Sequence, residues 1–148
     1  MVNYDAAGWG LLRDTLRTQD PGLSAQDHTG LVFDAFALAN AGYLSVPSAL
    51  NLSKFLNNET SYDVWSSALS ELSKLDRLLR DQPAYTNFES YVTGLIQPVL
   101  NRIGLNDTGY VRERELRGLL VYWAARWSLP AVQSWAAALF TDWRAHLF

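Results

Sequence analysis

The chain has 148 residues, about the size of one domain, and 49% of them are hydrophobic, with six Trp, seven Tyr and six Phe. That is material for a sizeable core and too much for a disordered segment. Lys and Arg number 12 against 15 Asp and Glu, mixed along the chain for a formal charge of −3, so no basic stripe exists to hold a phosphate backbone and nucleic acid is excluded as a partner. The absence of cysteine excludes disulfides and thiolate metal sites.

In chain order, Asp5 is placed to cap a first helix running to about Thr18, with Trp9, Leu12 and Leu16 on its apolar face. The stretch QDPGLS then breaks the chain. Ser24 followed by Asp27 has the spacing of a capping box for a second helix, whose inner positions are Leu31, Ala35 and Leu38 beside Val32, Phe36 and Ala39. Gly42 is the expected left-handed stop. Ser45 caps a third helix with Pro47 in its first turn, continuing through Leu52 to Leu56.

The fourth helix, about Ser61 to Arg80, has the cleanest stripe: Trp65, Ala68, Leu69, Leu72, Leu75 and Leu79 inward, with Glu71, Lys74, Asp76 and Arg77 assigned to a solvated outer face. Pro83 opens a fifth helix ending at Gly104, which Pro98 is expected to kink or shorten. A sixth runs from about Gly109 to Trp127 and a seventh starts near Pro130 with Val132, Trp135, Leu139 and Trp143 inward. No strand pattern appears. The expected fold is all-α, about seven helices in antiparallel hairpins stacked as a HEAT/armadillo-like right-handed solenoid, one domain over residues 1–148. The apolar ending WRAHLF reads as a truncated array or a partner surface, and self-association through that end is expected.

Little chemistry can be assembled from these residues. His28 and His146 are far apart in the chain, without a carboxylate at metal-ligand spacing. The carboxylates of RERE at 112 to 115, and Glu71 with Asp76, each have a basic neighbour and read as solvated charges. The Trp residues at 123, 127, 135 and 143 read as the interlocked core of two adjacent helices, with Trp127 as the candidate exposed aromatic available to a partner. No catalytic residue and no metal ligand is assigned. Three sequons mark candidate N-glycosylation sites at Asn51, Asn58 and Asn106. The N-terminus has neither the basic nor the apolar region of a signal peptide, and no apolar run approaches the ~20 residues that cross a bilayer.

VNYDAAGW at the start, then DHTGLVFDAFALANAGYLSVPSALNLSKFLNNETSYDVWSSALSELSKLD, then the closing RELRGLLVYWAARWSLPAVQSWAAALFTDW together resemble the C-terminal helical domain of the zinc-dependent M1 aminopeptidases, the aminopeptidase N group. The resemblance implies a piece of an enzyme, with no catalytic role of its own. The family's zinc is held by HExxH and a further Glu in a separate thermolysin-like domain, beside a GxMEN motif for the substrate amine, and none of these motifs is present here. The family's C-terminal domain is a bowl of antiparallel helices that closes over the catalytic domain and walls the peptide cavity. This chain is expected to form roughly its first half, from the join with a β-sandwich domain.

The resemblance also implies its partners, namely the catalytic and β-sandwich domains and a peptide at the cavity wall, and places Tyr4, Asp5 and His28 near interdomain contacts. It implies a parent on the extracellular side of the plasma membrane or in the secretory pathway, with the cytoplasm as the alternative. Three positions depart from the family pattern: His28 stands where Arg is common, Ala125 and Val132 where membrane members carry a Cys pair, and Gly8 where Asn precedes Trp9. The reading of another class is a free-standing helical-repeat scaffold that binds a protein partner.

Overall fold

The computed structural model describes residues 1–18 and 22–146, so the first three residues of the QDPGLS break and the last two residues of WRAHLF lie outside the described residues. Among the described residues there are seven α-helices, one 3-10 helix and no strand: α1 (Ala6–Arg17), α2 (Ala25–Asn40), α3 (Val46–Leu52), the 3-10 helix (Ser53–Asn58), α4 (Tyr62–Leu79), α5 (Tyr85–Ile103), α6 (Val111–Arg126) and α7 (Pro130–Ala145).

Side chains at the helix ends explain where the helices start and stop. Asp5 accepts from the Gly8 N–H at 2.7 Å at the head of α1. Ser24 and Asp27 form the full reciprocal capping box on α2, and Ser45 caps α3. At the end of α2, Gly42 adopts φ +80, which lets the Tyr43 N–H reach the Leu38 carbonyl and its own N–H reach that of Ala39, a complete Schellman closure. Replacing Gly42 with Ala forces a Cβ into the left-handed region. The expected cost is about 1 kcal/mol, checked by urea unfolding, and a stability unchanged within error would contradict this account of the stop.

Two expectations are corrected here. The run from Ser45 to Leu56 is an α-helix that tightens into a 3-10 helix at Ser53, because 3-10 winding eclipses positions three apart. Leu52 then aligns with Phe55, and Ser53 with Leu56, so all four side chains are buried. The buried Ser53 hydroxyl donates to the Leu50 carbonyl, beside the Tyr91 hydroxyl on α5. Helix α5, for its part, runs through Pro98 to Ile103 without ending early. Pro98 and Gly94, four residues before it, are both solvent-exposed, so the carbonyl left without its N–H partner faces water rather than the core.

Packing is solenoid-like. Helices α2, α4 and α6 lie side by side as one layer, while α1, α3 with the 3-10 helix, and α5 form the other. Successive helices α2 and α3, α4 and α5, α5 and α6 close the hairpins between the layers, and α7 packs on α6. One continuous core fills the interface, from Trp9 and Leu16 through Trp65 and Leu72 to Leu120 and Val132. Arg117, 4% exposed, links the far hairpin: its Nε and Nη2 donate to the Gly104 and Ile103 carbonyls, placing positive charge at the C-terminus of α5.

Candidate functional site

Four places on this scaffold gather polar or aromatic groups. The first lies where the C-terminus of α4, the N-terminus of α5 and the C-terminus of α6 converge. Asp76, assigned by sequence to the solvated face, is 0% exposed. Its Oδ1 accepts from Trp127 Nε1 and from the Tyr85 hydroxyl, each at 2.9 Å, and its Oδ2 accepts from Arg80 and from Arg126 at 3.2 Å. Burial pushes this carboxyl up, and the bonds from Trp127, Arg80, Tyr85 and Arg126 outweigh it, holding the pKa at about 2. Trp127, the expected exposed aromatic, is 1% exposed, stacked on Trp123 at 4.9 Å and edge-on to Phe88. It is the anchor of this cluster. Every donor to Asp76 is used inside the fold, so the arrangement positions helix ends and leaves the carboxylate no proton to exchange with a substrate.

A pH dependence follows. The folded pKa of Asp76 lies below the ordinary 3.8, so folding favours its charged form. The stabilisation is therefore complete above about pH 4 to 5 and is lost as pH falls toward about 2. With Arg80 and Arg126 partly in solvent, the loss attributable to Asp76 is about 1 to 2 kcal/mol. Urea midpoints measured between pH 6 and pH 2 check it, against the Asp76→Asn variant, in which this component should be absent.

The second place is His28. Its Nδ1 lies 2.7 Å from Glu59 Oε2, and its ring meets Phe55 edge-on. Glu59 also accepts the Thr60 and Ser61 N–H groups at the head of α4. The carboxylate missing from the local sequence thus arrives from the turn between the 3-10 helix and α4. His28 is engaged within the domain, with Nε2 buried and without a hydrogen-bond partner.

The third place is a groove of about 420 Å³ between α1 and α3, lined by Tyr4, Trp9, Arg13, Tyr43, Ser48 and Asn51 among others. Tyr4 is exposed and packs edge-on to Trp9, whose Nε1 donates to Asn3. The Val2 N–H donates to Asp34 on α2, strapping the first residues across the stack, and Asp5 is spent on its cap. The fourth is the outer face of α7, where Leu139, Phe140 and Trp143 are exposed and only Val132 is buried. The aromatic series at 123, 127, 135 and 143 is therefore core at its start and surface at its end, with Trp143 57% exposed.

The sequons also separate. Asn58 and Asn106 are exposed, whereas Asn51 is half-buried in the α1/α3 groove. In RERE, Glu113 pairs with the buried Arg117, and Arg114 with Asp107. Sequence reasoning missed Arg117, although its spacing from Glu113, Leu120 and Ala124 places it on the inner stripe. Among the described residues no three His, Cys, Asp or Glu side chains converge into a group that could hold a metal ion. Nor is any helix there long and apolar enough to cross a membrane.

The family model described as the ERAP1-like C-terminal domain matches residues 1–147. The chain is 32% identical to an aminopeptidase A of Gloydius brevicauda over 144 residues, 96% of this chain and 15% of that protein. It is 30% identical to a glutamyl aminopeptidase of Homo sapiens over 143 residues, again 96% and 15%. It is 31% identical to a thyrotropin-releasing hormone-degrading ectoenzyme of Rattus norvegicus over 150 residues, 96% and 14%. The chain thus spans about 15% of the length of the curated relatives it matches.

Proposed function

Since the chain belongs to the ERAP1-like C-terminal domain family, we propose that it is a non-catalytic helical part of an M1-type aminopeptidase, walling and gating the cavity in which N-terminal residues are removed from peptides. The observation that carries this reading is the match of residues 1–147 to that domain's family model, and the two-layer helical stack supports it. Within the parent, the chain acts by confinement. A rigid wall excludes bulk water and bulky substrates, and its closure against the rest of the enzyme completes the site. The layered packing suits a body that moves as one piece, because the core is continuous across the hairpins.

Zinc belongs, in this reading, to the parent's catalytic domain. The donor sets here do not fit it: Asp76 and Glu59 are both consumed by protein hydrogen bonds, and no metal-holding group is assembled among the described residues. Catalytic and β-sandwich domains are the proposed neighbours, with the surface around Tyr4 and the α1/α3 groove as their contact, and the peptide at the cavity wall. The chain forms roughly the first half of the helical domain. The names of the relatives, ectoenzyme among them, support a parent that works outside the cell or in the secretory pathway, in place of the cytoplasmic alternative.

The test is hydrolysis of a panel of amino-acid anilides and longer peptides by the parent's catalytic and β-sandwich portion, with and without this chain, and by this chain alone with added zinc. The chain alone should be inert. Its addition should change the ratio of short- to long-peptide turnover by about tenfold, ~1.4 kcal/mol of differential stabilisation. Turnover by the chain alone would overturn the proposal. The exposed Leu139, Phe140 and Trp143 favour one second reading, a binding scaffold that uses α7 as its contact or self-associates there. No effect in the mixture, with concentration-dependent sedimentation of the chain, would favour that reading.

A further inference from the structure

The three sequons occupy physically different positions. Asn106 sits in the turn between α5 and α6, where Asn106, Asp107 and Thr108 are all exposed. The turn is held open to solvent by its own bonds: the Thr108 N–H donates to the Asn106 carbonyl at 2.8 Å, Gly109 takes φ +93, and Arg114 grips Asp107 through two bonds of 2.6 Å. Among the described residues, the Asn106 carboxamide and the Thr108 hydroxyl face no competing partner that a sugar would have to displace, beyond a marginal 3.5 Å approach of that hydroxyl to the Asn106 carbonyl. Directly after the turn come two large apolar side chains in water, Tyr110 at 88% and Val111 at 67% exposure. Within five residues of the acceptor, this adjacent exposed pair is an apolar surface that a sugar on Asn106 can reach.

Asn51 is the opposite case. It lies on α3, half-buried against α1, and the hydroxyl its sequon requires belongs to Ser53, which is fully buried and bonded to the Leu50 carbonyl beside Tyr91. A chain that received a sugar there before folding would have to close α1 onto α3 around it, and Trp9, Arg13 and Leu52 already line that groove.

We propose that Asn106 is an N-glycan acceptor whose first sugar covers Tyr110 and Val111, and that Asn51 is bare in the folded protein. The assignment rests on the reading of the parent as a protein of the secretory pathway. The donor is a lipid-pyrophosphate-linked oligosaccharide. Asn106 Nδ2 forms the bond to the anomeric carbon, the carbon–oxygen bond to the pyrophosphate breaks, the lipid pyrophosphate leaves with that electron pair, and the amide gives one proton to a base. The C–H face of the attached pyranose then lies against the Tyr110 ring, and its hydroxyls face water.

The experiment directs the whole chain into the secretory pathway of cultured animal cells in a Thr60→Ala background, which silences the sequon at Asn58. A reference sequon in an appended flexible tail reports that the transferase reached the molecule. Peptide masses are read after enzymatic deglycosylation in heavy-oxygen water. The expected result is a label at Asn106 and none at Asn51, with the Asn106 glycan lost in Asn106→Gln and Thr108→Ala and kept in Thr108→Ser. An apolar dye should bind the Asn106→Gln protein several-fold more than the glycosylated protein, and Tyr110→Ser should remove most of that difference. A filled reference sequon with Asn106 empty, or a label at Asn51, would overturn the assignment, and equal dye binding would overturn the covering of Tyr110. Occupancy is read by mass alone, so its failure leaves the cavity-wall reading, tested by anilide hydrolysis, standing on its own.

Discussion

Replacing Asp76 with asparagine is expected to destabilise the chain by about 3 kcal/mol, because it removes the buried charge that Arg80 and Arg126 share and turns an N–H donor toward them. For a chain of this size that corresponds to a melting temperature lower by roughly 6–12 °C. The Trp127 N–H bond to Asp76 predicts more than a loss of stability. In a double-mutant cycle with Trp127→Phe, the two substitutions should couple by about 1–2 kcal/mol, since they share one buried bond to a charged acceptor. Chemical denaturation of the four proteins decides it. A loss under about 1 kcal/mol, or additive effects, would mean that the carboxylate does not hold the three helix ends together.

Trp65→Ala should be the more damaging change. The indole is fully buried at the centre of the core, and its N–H donates to the Glu59 carbonyl at 3.1 Å. Truncation opens a cavity and leaves that carbonyl with the longer 3.5 Å bond from Arg102 Nη2, an expected cost of about 3–5 kcal/mol against a total stability of about 5–15 kcal/mol for a typical domain. Trp65→Phe keeps most of the ring volume and should cost about half as much. Urea unfolding followed by far-ultraviolet circular dichroism measures both. An alanine variant within about 1.5 kcal/mol of the parent would contradict the core described above.

The elements were legible in the sequence because their ends carry local chemistry. Asp5, Ser24 with Asp27, Ser45 and Gly42 act within three or four residues of themselves, and the structure uses each as the spacing suggested. Asp76 was misassigned because residue type was allowed to outweigh position. Leu69, Leu72, Asp76 and Leu79 are spaced three, four and three apart, so Asp76 sits on the apolar stripe, and a carboxylate there implies buried donors. Trp127 follows Leu120 by seven and Trp123 by four, which also places it inward. What no local pattern contains is the identity of distant partners. Trp127 lies 51 residues from Asp76, and Glu59 lies 31 from His28. The outer face of α7 misled in the other direction, because a periodic apolar pattern states that a surface is sticky and not that this chain covers it.

The layered arrangement has a kinetic side. The principal partners of each helix lie one or two helices away in sequence, so the native state is built by closing short loops, and contact order is low. Chains of that kind fold without a long entropic search, typically in about microseconds to milliseconds. Opening is equally local. Helix α7 packs on α6 alone among its principal contacts and buries only Val132, so it is the segment whose amides exchange with solvent first. The central α2, α4 and α5 exchange only when the whole stack lets go.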